Sequence, residues 1–356
     1  MNSIVNSDLE HITQKFGDIN RFDGKVILIT GFAGFLGYYF TLFFNYLSTK
    51  GVNIKKLILC DNFLLGRPDW IDSLKEPNTL IEDFNITSDL GGYSYLGEAD
   101  YIIHMASIAS PVFYRKYPLE TIEANILGLR NLLEVYKNRN IDGFLFFSSS
   151  EIYGDPDPKA VPIDEEYLGN VSCIGPRSCY DEAKRFGETL SYYYSRIYNI
   201  PIGVARPFNN FGPGMKLNDT RVPADFAKAV LNNEDIIILS DGLPKRTFCY
   251  IADAICGYLK ILTYGKYDYF NIGTESPEIS IREFADMYKN IAAKLFGYNG
   301  EVKFKVSSDS EYLTNNPNRR CPKIDKARRL LGYEPKISVE SGIERFLRFL
   351  SEENRG

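Results

Sequence analysis

The sequence predicts an α/β protein: a doubly wound parallel sheet joined to a second, smaller α+β lobe. Three observations carry that reading. Short, nearly continuous apolar runs alternate with helix-length amphipathic stretches, the pattern of strands buried on both faces of a parallel sheet. A spaced glycine triplet, Gly31, Gly34 and Gly37 in "TGFAGFLG", lies between the first apolar run and a long helical stretch. A carboxylate, Asp61, ends the next run.

Taken in order, residues 1–23 read as a polar leader. Val26–Ile29 has strand length, and apolar residues then continue at helical length to a stop at Gly51. "IKKLILCDN" repeats the strand signal, and "ADYIIHMAS" and "DGFLFFSSS" are two more runs that end in small polar residues. Between those two, "ETIEANILGLRNLLEVYKNR" sets Ile122, Ile126, Leu129 and Leu133 on one helical stripe. Further on, "RPFNNFGPGMKLND" is turn-rich, "EDIIILSDG" strand-like and "SIREFADMYKNIAAKLFG" helical; these pieces are assigned to the second lobe. The expected division is 24–205 with 250–278 for the sheet domain, and 206–249 with 279–350 for the lobe. The closing "SEENRG" reads as a frayed end.

Composition removes several classes. A chain of 356 residues favours two subdomains or one large α/β unit. Lys and Arg total 41 against 46 Asp and Glu, a net charge of −5, which argues against a nucleic-acid binder dominated by phosphate contacts. The six cysteines form no CxxC pair and the only histidines are His11 and His104, so no metal site is expected. His104, ending an apolar strand, reads as a satisfied buried histidine. No basic start leads into an apolar core, and no run of about 18 apolar residues occurs. The expectation is a cytoplasmic protein with free thiols and no membrane partner.

The glycine triplet has a chemical reading. A glycine directly after a strand allows a sharp turn, the next lets backbone approach a pyrophosphate at the positive end of a helix, and the third permits close helix–strand packing. Asp61 stands where a carboxylate accepts hydrogen bonds from the ribose hydroxyls of adenosine, and its charge repels the extra phosphate of NADP. Arg67, six residues later, offers a phosphate partner and leaves that preference open.

In "SCYDEAKRFGETL", Tyr180 and Lys184 are four positions apart and share one helical face. A protonated lysine and a positive nicotinamide nearby both favour phenolate, so Tyr180 can take a proton from a sugar hydroxyl as hydride leaves the same carbon. A tyrosine–lysine spacing alone is common, and order along the chain gives it weight.

That order, "TGFAGFLG", "DNFLLGR", "HMASIASP", "SSSEIYGD", "CYDEAK", "RPFNNFGPG" and "KRTFCYIAD", resembles the extended short-chain dehydrogenase/reductases that act on nucleotide sugars, the NAD-dependent epimerase/dehydratase group. Within it, "GPRSCYDEAKR" and "SSSEIYGD" look most like the UDP-glucuronate decarboxylases. The resemblance implies a Rossmann domain holding NAD, with Gly31, Gly34 and Gly37 around the pyrophosphate, Asp61 at the adenosine ribose, and Phe35, Leu36 and Asn62 as further cofactor contacts. Asn85 and Ile86 fall where relatives place an Asp-Ile/Val pair beside adenine, and Ala106 and Ser107 lie along the cofactor. Ser149 matches the hydroxyl that bonds the sugar O4, beside Tyr180 and Lys184.

Oxidation at sugar C4 is shared by decarboxylases, 4-epimerases and 4,6-dehydratases. Comparable dehydratases carry Asp-Glu after the active-site hydroxyl; here the pair is Ser150-Glu151, which argues against loss of water. In the decarboxylases a matching Ser-Glu pair acts with an arginine that aligns with Arg320 in "NRRCPKID". "RPFNNFGPG" is closer to epimerase sequences, so 4-epimerisation stays as the rival. The resemblance also implies substrate contacts from Tyr114, Asn209, Arg221 and Arg246, a nucleotide-sugar partner, and a homodimer formed through a four-helix bundle. A scaffold that binds NAD without turnover is the non-enzyme alternative.

Overall fold

The computed structural model describes residues 2–307, 309, 311, 314 and 316–353. The leader is not merely polar: it forms helix α1 (Ser3–Phe16), because Val5, Leu9, Ile12 and Phe16 recur at helical spacing and bury one stripe. Then follow β1 (Val26–Thr30), α2 (Phe35–Tyr46), β2 (Lys56–Asp61), β3 (Thr79–Asp83) and β4 (Tyr101–His104). Helices α3 (Pro111–Lys116), α4 (Pro118–Glu123) and α5 (Leu129–Tyr136) come next, with a π-helical stretch at Ala124–Gly128 between the last two. β5 (Gly143–Phe147), α6 (Ser178–Tyr198) and β6 (Ile202–Pro207) continue the alternation.

The remaining elements are shorter: β7 (Asn210–Phe211), α7 (Val222–Leu231), β8 (Ile236–Ile238), β9 (Lys245–Arg246) and β10 (Cys249–Tyr250). α8 (Ile251–Leu262) and β11 (Asp268–Ile272) return to the main sheet. The chain ends with β12 (Ile279–Ser280), α9 (Ile281–Phe296), β13 (Val302–Phe304), β14 (Arg319–Arg320), α10 (Asp325–Leu331) and α11 (Val339–Glu353).

Seven strands form one sheet in the order β11-β6-β5-β4-β1-β2-β3, with every pairing parallel. Alternate residues of each strand feed opposite cores. Ile27, Ile29, Leu57 and Leu59 join Phe40, Phe43, Ile255 and Leu259 on one side. Val26, Leu28, Ile58 and Phe144 meet Leu129, Leu132 and Leu133 on the other. This is the two-period of a strand covered on both faces. Outside it, β12, β9 and β14 make one small sheet and β13 with β8 another.

α1 packs on α8 and is tied down by polar contacts too. Asp8, fully buried, accepts from the hydroxyls of Tyr39 at 2.7 Å and Tyr250 at 2.6 Å and pairs with Arg345 at 2.6 Å. His11 meets Asp253 at 2.8 Å, and Asp253 also accepts from the backbone N–H groups of Lys336 and Ile337. Tyr250 and Asp253 thus join the N-terminal helix to the C-terminal segment.

Candidate active site

The order of the sheet reverses between β1 and β4, and loops from the carboxyl ends of neighbouring strands open there. A cavity of about 720 Å³ lies over these ends, closed on its far side by α7, β8, β9 and β14. The site candidates singled out above line it, except Arg67, which pairs with Asp72 at 3.2 Å.

At the cofactor end, Gly31 has φ +76°, and a Cβ there would lie 2.7 Å from the backbone nitrogen of Ala106. One on Gly37 would sit 2.1 Å from the Phe32 carbonyl oxygen. Gly34 differs, since its Cβ would meet only the Gly31 carbonyl at 3.3 Å. Packing barely demands glycine at that position; its absence of a side chain leaves the start of α2 bare. Gly34 caps α2 without a side-chain hydrogen bond, so the first N–H groups, around Phe35, Leu36 and Gly37, are free to meet a diphosphate.

Asp61 accepts from the N–H groups of Ala33 at 3.0 Å and Phe63 at 2.9 Å. Burial raises its pKa, and those two donors pull it back. Each carboxylate oxygen retains a lone pair for a ribose hydroxyl. Asn62 turns its carbonyl to the Leu64 N–H at 3.1 Å. Asn85 is exposed and its carbonyl is used locally by the N–H and hydroxyl of Thr87, which leaves its amide as the group able to reach adenine. Ile86 beneath it is buried. Beyond Ala106, the buried hydroxyl of Ser107 has no partner among the described residues. The bare helix start, the carboxylate and this orphaned hydroxyl fit a dinucleotide.

At the chemical centre, β5 delivers Ser149, Ser150 and Glu151, and the first turns of α6 deliver Tyr180 and Lys184. The Ser149 hydroxyl accepts from the Glu151 N–H at 3.2 Å and starts a tight 3₁₀ turn. Lys184 donates to the Phe147 carbonyl at 2.7 Å. Burial lowers its pKa to about 7. Tyr180 is pushed up to about 12 by burial, with the Ser149 hydroxyl acting in the opposite direction. Tyr114 stacks on it, ring centres 5.2 Å apart and 11° from parallel. His104 lies behind, its Nδ1 bonded to the Thr30 hydroxyl at 2.8 Å and its pKa brought down to about 3 by burial; it is a satisfied core residue.

Glu151 is gripped from two sides. Arg320 meets its Oε2 at 2.6 Å, and Arg177 contacts the same oxygen. Burial alone would raise the Glu151 pKa, but Arg177 and Arg320 more than reverse it and hold the group below its ordinary value. Arg177 was not singled out as a residue by sequence reasoning, although it stands in the quoted "GPRSCYDEAKR". Asp181 was missed too. Buried, with one oxygen lacking a partner among the described residues, it lies 3.5 Å from Arg177 and is pushed up to about 7 by burial and by the charge of Glu151.

On the lobe side, Arg246 spends its donors on carbonyl oxygens of Lys245, Pro317 and Asn318. No carboxylate pairs with it among the described residues, and burial followed by the nearby Arg320 lowers its pKa to about 9. Asn209, at φ +42°, donates to the Thr247 carbonyl at 2.8 Å. Arg221 caps α7, pairs with Asp219 and lies over Phe35, ring centre at 5.8 Å.

The chain matches the sequence profile of the NAD-dependent epimerase/dehydratase family over residues 27–273. It is 36% identical over 349 residues to UDP-glucuronic acid decarboxylase 1 of Xenopus tropicalis, covering 96% of this chain and 76% of that protein. It is 35% identical over 323 residues to UDP-glucuronic acid decarboxylase 6 of Arabidopsis thaliana, covering 89% and 86%. Among solved structures it resembles UDP-glucuronic acid 4-epimerase from Bacillus cereus in complex with UDP-glucuronic acid and NAD, with a TM-score of 0.77, 25% identity, and coverage of 92% and 99%. No helix among the described residues is long and apolar enough to cross a membrane.

Proposed function

The chain belongs to the NAD-dependent epimerase/dehydratase family, and from that premise we propose that it is an NAD-dependent UDP-glucuronate decarboxylase. The observation that carries this reading is Glu151 held between Arg177 and Arg320 beside Ser149, Tyr180 and Lys184. Relatives named as decarboxylases over nearly the whole chain support it.

Bound NAD supplies the hydride acceptor for the first step and the hydride donor for the last. Gly31, Gly34, Phe35, Leu36 and Gly37 hold its diphosphate, Asp61 and Asn62 its ribose, Asn85 and Ile86 its adenine, and Ala106 and Ser107 its inner face. Tyr180 takes the proton of the C4 hydroxyl; the Ser149 hydroxyl holds the same oxygen, and Lys184 favours the phenolate by its charge. The product is a β-keto acid. Its carboxylate leaves as carbon dioxide, and the electron pair left at C5 spreads onto the C4 oxygen, where Tyr180 and Ser149 donate hydrogen bonds. C5 then takes a proton. An ionised Glu151 is not the resting acid, so that proton comes from solvent, through water on the Ser150, Glu151 and Arg320 side. Tyr180 finally returns its proton to O4 as the ketone is reduced.

Charge accounts for a uronate substrate. Arg177, Arg246 and Arg320 face Glu151 and an Asp181 that burial and the charge of Glu151 hold toward its neutral form. Buried positive charge is costly unless an anion accompanies it. A sugar nucleotide bearing a diphosphate and a carboxylate brings that charge; Asn209, Arg221, Arg246 and Tyr114 are the contacts on the substrate side.

In this reading residues 24–205 with 250–278 bind NAD and 206–249 with 279–350 bind the nucleotide sugar. The subunit is half of a homodimer. Leu119, Ile122 and Leu127 along α4 and the π-helical stretch are exposed apolar side chains, as are Phe186, Tyr193 and Ile197 on α6, and two such helices from each subunit make a four-helix bundle. Six free cysteines accord with a reducing, cytoplasmic setting.

Proton NMR of UDP-glucuronate with the protein and NAD tests the proposal. Appearance of a UDP-pentose with an equal amount of carbon dioxide supports it. A C4 epimer that keeps its carboxylate supports the rival reading favoured by "RPFNNFGPG" and by the likeness to the B. cereus epimerase.

A further inference from the structure

We propose that Arg177 and Asp181 form a positioning pair that sets the ionisation and aim of Glu151, an inference that rests on the decarboxylase reading for its catalytic meaning. Arg177 is the N-cap residue of α6 and Asp181 lies one turn on, so the helix that carries Tyr180 and Lys184 also carries this pair. The geometry is a chain of contacts: Asp181 lies 3.5 Å from Nε of Arg177, and the far end of the same guanidinium meets Oε2 of Glu151. Arg320 reaches that oxygen from β14.

The chain is buried throughout. The side chains of Arg177, Asp181 and Glu151 are 11%, 7% and 16% exposed, where a charge placed or removed is felt strongly. Arg177 has only these two acids as ion-pair partners among the described residues. A guanidinium shared between two carboxylates is pulled both ways. Asp181 competes for Arg177 and, when ionised, repels Glu151; Arg177 attracts both. The groups that face Glu151 are Arg177, Asp181 and Tyr180 on α6, Tyr114 on α3, Arg320 on β14 and Arg246 on β9.

A consequence follows that packing alone does not produce. Arg177 draws both carboxyls down, and the charge of Glu151 holds Asp181 up. Asp181 keeps its proton where Glu151 titrates, so Arg177→Gln raises the Glu151 midpoint, Asp181→Asn leaves it near the parent value, and Glu151→Gln lowers the Asp181 midpoint.

The test is a carbon-13 NMR titration of glutamate- and aspartate-labelled protein with NAD bound, the Glu151 and Asp181 carboxyl signals being assigned by their loss in Glu151→Gln and Asp181→Asn. The expected result is a Glu151 midpoint raised by about one unit or more in Arg177→Gln and close to the parent protein in Arg177→Lys and Asp181→Asn, with the Asp181 midpoint lowered in Glu151→Gln. The acid limb of carbon dioxide release moves with the midpoints. A Glu151 midpoint that does not rise in Arg177→Gln, or an Asp181 midpoint that does not fall in Glu151→Gln, overturns the proposal. If the midpoints move as expected but the parent protein releases no carbon dioxide from UDP-glucuronate, the positioning pair stands and the decarboxylase reading falls. Should Arg177→Gln fail to retain NAD, the Asp181 midpoint in Glu151→Gln decides: a value unchanged from the parent protein contradicts the pair.

Discussion

Lys184 donates to the Phe147 carbonyl at 2.7 Å while its ammonium lies 5.6 Å from the centre of the Tyr180 ring. Both groups are held away from water, and each is moved toward its neutral form: the lysine down to about 7 and the tyrosine up to about 12. Burial supplies most of both shifts. Their catalytic use needs the opposite charges side by side, so the protein stores this couple at a cost to stability.

Lys184→Met accordingly stabilises the protein without NAD while abolishing C4 oxidation. The sign follows from linkage: a lysine with a depressed folded pKa weakens the fold most below about 7, and the penalty fades as pH rises toward the ordinary lysine value. Thermal melts at pH 6 should favour the variant by roughly 1–3 kcal/mol, with the gap narrowing by pH 9 or so. A variant less stable at every pH contradicts the account.

Arg320→Ala separates the later chemistry from the first. Glu151 keeps Arg177 as a partner, and the Ser149, Tyr180 and Lys184 set is untouched. Nicotinamide absorbance should still report C4 oxidation in a single turnover, while carbon dioxide release falls by about 100-fold or more. Equal loss of both signals would assign Arg320 to substrate binding.

Asp8→Ala cuts the tie between α1 and the body of the protein. It strands the hydroxyls of Tyr39 and Tyr250 and the charge of Arg345. Urea denaturation should show a loss of about 2–4 kcal/mol, whereas kcat at low temperature stays near the parent value.

Phe186→Glu with Ile197→Glu puts two carboxylates on the exposed apolar face of α6. Analytical ultracentrifugation should show a monomer in place of a dimer. A parent protein that already sediments as a monomer, or a dimer that survives both charges, removes the bundle.

The sheet was legible because its strands are continuous apolar runs and its turns carry glycine, signals that lie within a few residues. Tyr180 and Lys184 were legible for the same reason: one helical turn relates them. Arg177 was not, because its meaning depends on Glu151 arriving from β5 and Arg320 from β14, segments 26 and 143 positions away. The docking of α1 had a visible stripe, Val5, Leu9, Ile12 and Phe16, but nine polar or charged residues among its 14 masked it. Asn85 was aligned beside adenine on sequence; that its carbonyl closes the turn onto Thr87, leaving the amide for adenine, is what spacing alone does not reveal.

The central claim is that a carboxylate leaves C5 and a proton replaces it. The direct measurement follows UDP-glucuronate labelled with carbon-13 at the carboxylate, incubated with the protein and NAD in deuterium oxide. The account predicts labelled carbon dioxide and an unlabelled UDP-pentose carrying one deuterium at C5. A product that keeps the carbon-13 label and differs only in configuration at C4 would contradict it.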